Sequence, residues 1–485
     1  MILISQSSAQ HPLSKPRVCL CKPNSSHTHT HTHTHTHTHT HTHTHTHTLC
    51  TILNLILTYT LIPQVFVTEL QVCYQVRPYR GSVPSDLITF PHAIVSVFVQ
   101  GVCVLGLPYA LLQSGFLGLV LLVLSACVCS YTGKILISCL YEEDEQGHVR
   151  RIRHTYEDVA DTCCPRLGGR LVGAAQLVEL TFTCVLYLVI GGNMMSHGLP
   201  FLPLTPATSS ALTFLTLAPC VVIRDLRVVS RLSFLCSLAQ FLLTFIVIVY
   251  CLCQCPRWAY GVLALAVDFD HFLVAAGIII FSYTSQILLP ALEGSMAERA
   301  EFGSMMDCTH TLAGVLKTAF ALLALLTWGH DTKEVTENLP MALRMMINLC
   351  LLTKSLLSYP LPFYAAAQLL HTDVARSGIA RDGWGGAGGG AEWHVLLLRG
   401  SLLCLTFVMA ACVPHISLLM GLTGSVTGAT MTLLLPALFH LRLKWAGLGW
   451  GGRVLDSLIL ALGVLCTVAG IIYSVRGVLE ALGNR

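Results

Sequence analysis

The sequence predicts an all-α polytopic membrane protein of about eleven transmembrane helices, with an inverted-repeat (5+5) core in which helices one and six are broken. Three observations predict this fold. The 485 residues are 54% hydrophobic and 11% charged, whereas a soluble domain carries about 25% charged residues. Apolar runs long enough to cross a bilayer recur along the chain. Two of these runs, in corresponding places of two halves, contain residues that interrupt a helix.

A helix that crosses a bilayer needs about 20 mostly apolar residues. Backbone groups in lipid must be satisfied within the segment, so each such run is expected to be helical. From residue 88 onward, about eleven runs fit this requirement. They span residues 88–112, 115–140, 171–199, 209–223, 232–253, 272–292, 308–328, 341–370, 396–413, 415–441 and 454–475. We therefore assign residues 88–485 to one transmembrane domain.

The first 87 residues have a different composition. Residues 27–48 alternate between His and Thr without exception. Histidine-rich tracts can bind metal, but a repeated CA dinucleotide translated in frame also encodes His-Thr. We expect this segment to be disordered or an artefact of the gene model, and no part of the fold. The 21 cysteines show no paired zinc spacing, so the sequence predicts neither a metal site nor a cofactor.

Basic residues are distributed unevenly between the two sets of connecting loops. The loops after spans two, four, six, eight and ten hold fifteen Lys and Arg side chains, and the opposite side holds five. Because cytosolic loops are enriched in Lys and Arg, the first set is predicted to face the cytosol. The N-terminus is then cytosolic, and the C-terminus faces the lumen or the outside. The net charge of +3 is too small to indicate binding of nucleic acid.

Helix-breaking residues occur in the first and the sixth span. The first span contains Gly101, Gly106 and a following proline, and the sixth contains the polar run 281–286 followed by Pro290. Glycine costs about 1 kcal/mol in a helix and proline about 3 kcal/mol. A matched pair of broken helices indicates an inverted-repeat transporter with its site at the bilayer midplane. The alternative is that these residues only serve helix packing, since Gly and Pro are common in membrane helices.

A second kink is predicted where Tyr359 precedes Pro360 in the eighth span. This kink either lines the transport pathway or only bends the helix. The candidate substrate-binding residues are therefore Gly101, Gly106, Ser282, Tyr283, Thr284, Ser285 and Tyr359.

Three ionisable residues lie well inside predicted spans: Glu179, Lys317 and Lys354. Such residues are costly in a membrane and are candidates for function by default. Glu179 is the strongest candidate for a proton carrier, because burial disfavours the charged form of a carboxylate. Lys317 and Lys354 are candidates to assist it in proton coupling. The alternative for Glu179 is a static ion pair with a lysine.

Five motifs allow the chain to be compared with a known family. They are the stretches 104–110, 131–137, 281–286, 357–363 and 419–425. In this order they resemble the vesicular inhibitory amino acid transporter branch of the amino acid/auxin permease family, from about Gln100 to the C-terminal end. The resemblance implies eleven spans, a core of ten in two inverted halves, a cytosolic N-terminus and a lumenal C-terminus.

The resemblance also implies an activity. Proteins of this branch take up GABA, glycine or β-alanine into synaptic vesicles in exchange for lumenal protons, driven by a vacuolar proton pump, with chloride as a further ion. The implied partners of this chain are thus a small amino acid, protons, chloride and the lipid bilayer.

Two departures from the family pattern leave other functions open. The family has a long hydrophilic N-terminus, which this sequence lacks, and residues 91–97 replace the polar stretch that opens the family's first span. A transport-dead paralogue is therefore one alternative. Another is a proton- or sodium-coupled amino acid symporter of the plasma or lysosomal membrane. A membrane-embedded enzyme, such as an acyltransferase, needs a catalytic His or acid beside a nucleophile, and the sequence shows no such arrangement, so we predict no enzyme.

Overall fold

The structure is a computed structural model. It describes residue 104 and residues 106–144, 146, 148–198, 205–221, 242–261, 269–332, 339–376, 390–412 and 416–483. The His-Thr tract, Gly101 and the first part of the first predicted span lie outside these residues.

The described residues form fourteen α-helices, which we number in chain order, and one two-stranded sheet. The helices are α1 Leu107–Ser138, α2 Tyr156–Cys163, α3 Gly168–Gly198, α4 Pro206–Leu217, α5 Leu242–Cys253, α6 Phe269–Ser282, α7 Leu289–Ser295, α8 Phe302–Trp328, α9 Met341–Ser358, α10 Pro360–Arg376, α11 Gly390–Cys412, α12 Ile416–Thr423, α13 Leu435–Lys444 and α14 Trp450–Gly483. The strands are β1 Tyr141–Glu143 and β2 Val149–Arg151.

Six helical segments in the described residues are long and apolar enough to cross a membrane. Three shorter apolar helices match predicted spans four, five and six. The structure therefore confirms a mostly helical protein with several membrane spans. The count of eleven spans and the inverted 5+5 repeat stay predictions, because several spans are divided or only partly described.

A kink at Gly115 lies between the first two predicted spans. Helix α1 runs from Leu107 to Ser138, but within it the backbone of Gly115 is not helical, with φ 54° and ψ −141°. A side chain would be strained at this φ, whereas glycine adopts it readily. The helix is thus kinked at the position where the sequence predicts one span to give way to the next.

Predicted span ten contains the least regular helix. After α12 the backbone follows π-helical turns at Gly424–Gly428 and Thr430–Leu434 before α13 begins. The first of these segments packs closely on α6, because a Cβ atom added to Gly424 would lie 1.9 Å from the carbonyl oxygen of Gly277. π-Helical turns are rare in proteins overall, but those that occur are often found at functional sites. The sequence did not predict them.

The loop after α1 folds into a hairpin and a short helix, which the sequence analysis missed. Strands β1 and β2 pair antiparallel, and the hydroxyl of Thr155 caps α2 by accepting from the N–H of Asp158 over 3.1 Å. The N–H of Thr155 in turn donates to the carboxylate of Asp158, which completes a capping box. The Thr-x-x-Asp spacing was the available sequence signal.

The hairpin connects loops that the charge pattern assigned to the same side. Arg151 of β2 forms an ion pair with Glu293 of α7, with 2.8 Å between Nη1 and Oε2. Lys444, at the end of α13, donates to the carbonyl oxygen of Tyr141 over 2.9 Å. The loops after predicted spans two, six and ten therefore meet at one end of the bundle. Which membrane side this end faces stays a prediction.

Candidate functional site

The sixth predicted span is interrupted in the structure. Helix α6 ends at Ser282 and α7 begins only at Leu289, with Pro290 in its first turn. Between them the backbone leaves helical hydrogen bonding: the N–H of Ser285 donates to the side-chain oxygen of Gln286 over 2.9 Å. We call residues 283–288 the α6–α7 break. Its position agrees with the polar run and the proline that predicted it.

Gln286 holds the α6–α7 break to its neighbours, and its side chain is fully buried. The amide nitrogen donates to Thr132 Oγ1 over 3.3 Å, and the amide oxygen accepts from Thr432 over 3.0 Å. The break is therefore fixed between α1 and the π-helical part of span ten. Gln286 belongs to the polar run that the sequence shows, but its supporting role was not predicted.

The four polar residues 282–285 differ in what their side chains do. The hydroxyl groups of Ser282 and Thr284 donate back to carbonyl oxygens of α6, over 2.7 Å and 3.4 Å. Tyr283 Oη and Ser285 Oγ are buried and have no hydrogen-bond partner among the described residues. Buried polar groups in native proteins are nearly always paired. Of the four residues, Tyr283 and Ser285 are thus the two whose hydroxyl groups have no partner in the described part of the chain.

The break lies beside the start of α1. A Cβ atom added to Gly106 would lie 3.3 Å from Cγ2 of Ile278 and 2.9 Å from Sδ of Met420. Ile278 precedes Ser282 by four residues, about one helical turn. The structure therefore brings Gly106 within about one turn of the α6–α7 break. The part of the first span that contains Gly101 lies outside the described residues.

Lys317 of α8 reaches the same place. Its ammonium group donates to the carbonyl oxygen of Ser282, the last residue of α6. The ammonium also lies 4.0 Å from the centroid of the Tyr283 ring. Only 6% of Lys317 is exposed. The sequence predicted a lysine at membrane depth here, but not that its side chain would end on the broken helix.

Tyr359 lies at the predicted kink between α9 and α10. The Tyr359 hydroxyl is 3.0 Å from Oγ1 of Thr406 in α11, and its ring stacks on Phe363 with 5.5 Å between centroids. The side chain is fully buried. These contacts connect α11 to the kink, and the role of Tyr359 in the transport pathway stays a prediction.

Glu179 is buried in α3, with 5% of its surface exposed. Its Oε2 atom has no hydrogen-bond partner among the described residues. Burial, followed by the charge of Glu179, holds the pKa of Tyr156 in α2 well above its ordinary value. Tyr156 donates to the carbonyl oxygen of Met431 over 2.8 Å. Tyr156 is therefore influenced by the charge of Glu179 and is bonded to span ten.

Lys354 is placed elsewhere. It is buried in α9, and its neighbour Ser355 lies 3.1 Å from where a Cβ atom of Gly191 would be. Gly191 follows Glu179 by twelve positions in α3, which corresponds to about 18 Å along the helix axis. The structure thus separates Lys354 from Glu179. The same helix carries Asn348, which the sequence did not single out and whose buried amide has both polar atoms unpaired among the described residues.

Comparisons with known proteins identify relatives along most of the chain. A family model described as "Transmembrane amino acid transporter protein" matches residues 88–478. The vesicular inhibitory amino acid transporter of Xenopus tropicalis is 47% identical over 391 residues, which cover 79% of this chain and 75% of that protein. The protein of the same name from Mus musculus is 48% identical over 391 residues, covering 79% and 74%.

A more distant relative and a solved structure extend this comparison. The vesicular GABA transporter of Caenorhabditis elegans is 35% identical over 392 residues, which cover 80% of this chain and 79% of that protein. The solved structure of a Na⁺-coupled sialic acid symporter is 10% identical, covers 86% of this chain and 96% of that chain, and has a TM-score of 0.47. That similarity is too low to indicate a shared function.

Proposed function

The chain belongs to the transmembrane amino acid transporter family, and from this premise we propose that it loads small amino acids into synaptic or secretory vesicles in exchange for protons. Family membership makes it a membrane transporter of amino acids and not an enzyme. It also confirms the resemblance found in the five sequence motifs. The proposed substrates are GABA, glycine and β-alanine, because the relatives' names specify inhibitory amino acids and GABA.

The observation that carries the proposal is the pair of unpaired, buried hydroxyl groups in the α6–α7 break. Tyr283 and Ser285, which carry these hydroxyl groups, belong to a segment whose backbone is not helical. A zwitterion bound here satisfies both hydroxyl groups, and the energetic benefit is large because an unmet buried polar group costs about 1–3 kcal/mol.

The carboxylate of the amino acid has complementary partners at the two broken helices. Gly106, the N-cap residue of α1, has no side chain that could cap the N–H groups of the first turn. Such a helix start attracts a carboxylate. We place the carboxylate against the hydroxyl groups of Tyr283 and Ser285 as well, because the Lys317 ammonium beside the Tyr283 ring repels the substrate's amino group and attracts its carboxylate. Gly101, Ser282 and Thr284 contribute backbone groups, and Tyr359 shapes the pathway through the kink.

Proton coupling is assigned to Glu179. A buried carboxylate with one unpaired oxygen is costly as an anion, so proton binding and release are expected to change its surroundings. The charge of Glu179 acts on Tyr156, which bonds to Met431, and we propose this as the route by which the change reaches span ten. Lys317 acts at the break itself. Lys354 is kept as a third candidate for proton coupling, at a site separated from Glu179.

The proposed setting is the membrane of a synaptic or secretory vesicle. The N-terminus is in the cytosol and the C-terminus in the lumen, in agreement with the loop charges. A vacuolar proton pump supplies the acid lumen, and chloride is a second ion whose gradient contributes to uptake.

The experiment that tests this function is uptake by the full chain in proteoliposomes. Vesicles with an acidic interior are given labelled glycine or GABA, and a proton ionophore is added in a parallel sample. We expect accumulation that the ionophore abolishes. Chloride is replaced by gluconate in a further sample, where reduced uptake is expected.

Three other outcomes contradict the proposal in different ways. Uptake that follows an inward sodium or proton gradient identifies a symporter of the same family. Uptake of other amino acids only, such as large neutral ones, overturns the substrate assignment. A folded protein that binds labelled glycine or GABA but moves neither under any gradient identifies a transport-dead paralogue.

A further inference from the structure

The end of α6 holds a positive charge that belongs to the protein itself. The Lys317 ammonium donates to the carbonyl oxygen of Ser282 and lies 4.0 Å from the centre of the Tyr283 ring. In a continuous helix the Ser282 carbonyl would accept from the N–H four residues on, but the helix ends here. The lysine side chain therefore takes the place of a backbone donor.

A cation is expected at this position on electrostatic grounds. The last carbonyl groups of a helix have no helical partner, and they carry the negative end of the helix dipole. An aromatic ring face adds to the attraction of a cation. In transporters with discontinuous helices, the carbonyl ends of half-helices and the unwound backbone coordinate the coupling ion. The α6–α7 break has this geometry, and it is the ammonium of Lys317 that occupies it.

The packing of α8 brings the lysine to the break. Gly314 precedes Lys317 by three residues and so lies on the same helix face. A Cβ atom added to Gly314 would lie 3.1 Å from Cβ of Ala126 in α1 and 4.0 Å from Oη of Tyr283. Helix α8 thus approaches α1 closely, and the lysine side chain has a short, buried path to Ser282.

We propose that Lys317 fills a cation site at the α6–α7 break as a tethered cation, which excludes Na⁺ from this site in the wild-type chain. Shortening the side chain and removing its charge should open the site to a free monovalent cation, with the Ser282 carbonyl as one ligand. Residue 317 would then determine which ion the break accepts. Any role of Lys317 in ion coupling rests on the proposed transport function, whereas cation binding at the break does not.

The test measures cation binding without any amino acid. The full-length Lys317→Asn variant is purified in detergent, and its thermal unfolding midpoint is followed while NaCl replaces choline chloride at constant ionic strength. We expect the midpoint of Lys317→Asn to rise saturably by roughly 2–4 °C, because a ligand that binds only the folded state stabilises it. The wild type and Lys317→Arg, which keep a positive charge at the break, should show no such rise.

Lys354→Asn is the matched control, because Lys354 is similarly buried but lies in α9 and not in α8. It should not acquire a response to Na⁺. Lys317→Gln, which preserves more of the side-chain volume, is measured alongside in case the asparagine variant is unstable.

The results separate this inference from the proposed function. A saturable Na⁺ response in the wild type, or its absence from both neutral Lys317 variants, overturns the tethered-cation assignment even if amino acid uptake succeeds. If uptake fails for every substrate but Lys317→Asn still binds Na⁺, the assignment holds and the transport proposal falls. If both neutral variants fail to fold, stabilisation of the wild type by Na⁺ still contradicts the assignment. A wild type that Na⁺ does not stabilise, together with a folded Lys317→Arg variant, supports the assignment.

Discussion

Thr432 donates a hydrogen bond to the side-chain oxygen of Gln286 over 3.0 Å, although the two residues are 146 positions apart in the chain. The same amide oxygen also accepts from the N–H of Ser285. The Gln286 side chain thus accepts a hydrogen bond from the backbone of the break in the sixth span and also connects the break to a π-helical segment. A site that depends on non-helical backbone needs such a support, because each unpaired backbone group in a membrane interior is costly.

Replacing Gln286 by Ala should destabilise the protein strongly. The substitution leaves the N–H of Ser285 and the hydroxyl of Thr432 without their buried partner, at a cost of about 1–3 kcal/mol for each group. Thermal unfolding in detergent measures the loss. Gln254→Ala is the control, since this half-exposed residue lies at the end of α5 and should change stability by less than about 0.5 kcal/mol. Equal melting of the two variants would contradict the supporting role of Gln286.

Replacing Tyr283 by Phe should weaken substrate binding without weakening the fold. The hydroxyl has no partner among the described residues, so its removal breaks no hydrogen bond within them. Loss of one hydrogen bond to the substrate should raise the KM for uptake by roughly threefold to tenfold, which corresponds to about 0.5–1.5 kcal/mol.

Tyr359→Phe provides the comparison for this variant. It removes a hydroxyl that is bonded to Thr406, so the free energy of unfolding should fall by about 1 kcal/mol. An unchanged KM for Tyr283→Phe, in a protein that melts as the wild type does, would remove Tyr283 from the substrate site.

Replacing Glu179 by Gln should uncouple the transporter from protons. The amide fills nearly the same volume and mimics the protonated acid, so the fold should survive. Uptake driven by an acidic vesicle interior should fall to the level of empty vesicles, whereas exchange of labelled for unlabelled amino acid should persist. Glu301→Gln, at an exposed position just before α8, is the control and should retain gradient-driven uptake. Wild-type accumulation by Glu179→Gln would falsify the assignment of Glu179 as the proton carrier.

Replacing Gly424 by Ala should prevent α6 from packing against span ten. The added Cβ atom would lie 1.9 Å from the Gly277 oxygen and 2.6 Å from its carbonyl carbon, and backbone atoms cannot move aside as a side chain can. Overpacking of this kind costs about 1–3 kcal/mol or more. Gly303→Ala, where no atom lies within 4 Å of the added carbon, should be neutral or slightly stabilising. Recovery of folded, monodisperse protein after size-exclusion chromatography distinguishes the two.

The sequence was sufficient to predict the features that depend on local chemistry. Polar residues and Pro290 within an apolar run predicted the α6–α7 break, and Gly115 lies where one predicted span ends and the next begins. Tyr359 and Pro360 predicted the division between α9 and α10. In each case the residue types that disfavour a helix stand at the place where the helix ends.

The features that the sequence could not supply depend on partners far apart in the chain. Lys317 bonds to a residue 35 positions away, and Gln286 to one 154 positions away. Periodicity in an apolar run carries no information about which helix lies opposite. The same limit applies to the separation of Lys354 from Glu179, which follows from the register of α9 on α3.

The ion pair between Arg151 and Glu293 has a consequence for following transport in time. It joins a hairpin in the aqueous loop to the second half of the interrupted helix, and both side chains are nearly buried. Any tilt of that half-helix must either separate the pair or carry the hairpin with it. A fluorescent label at the exposed Gln146, on the tip of the hairpin, would therefore report on motion deep in the membrane from a position in water.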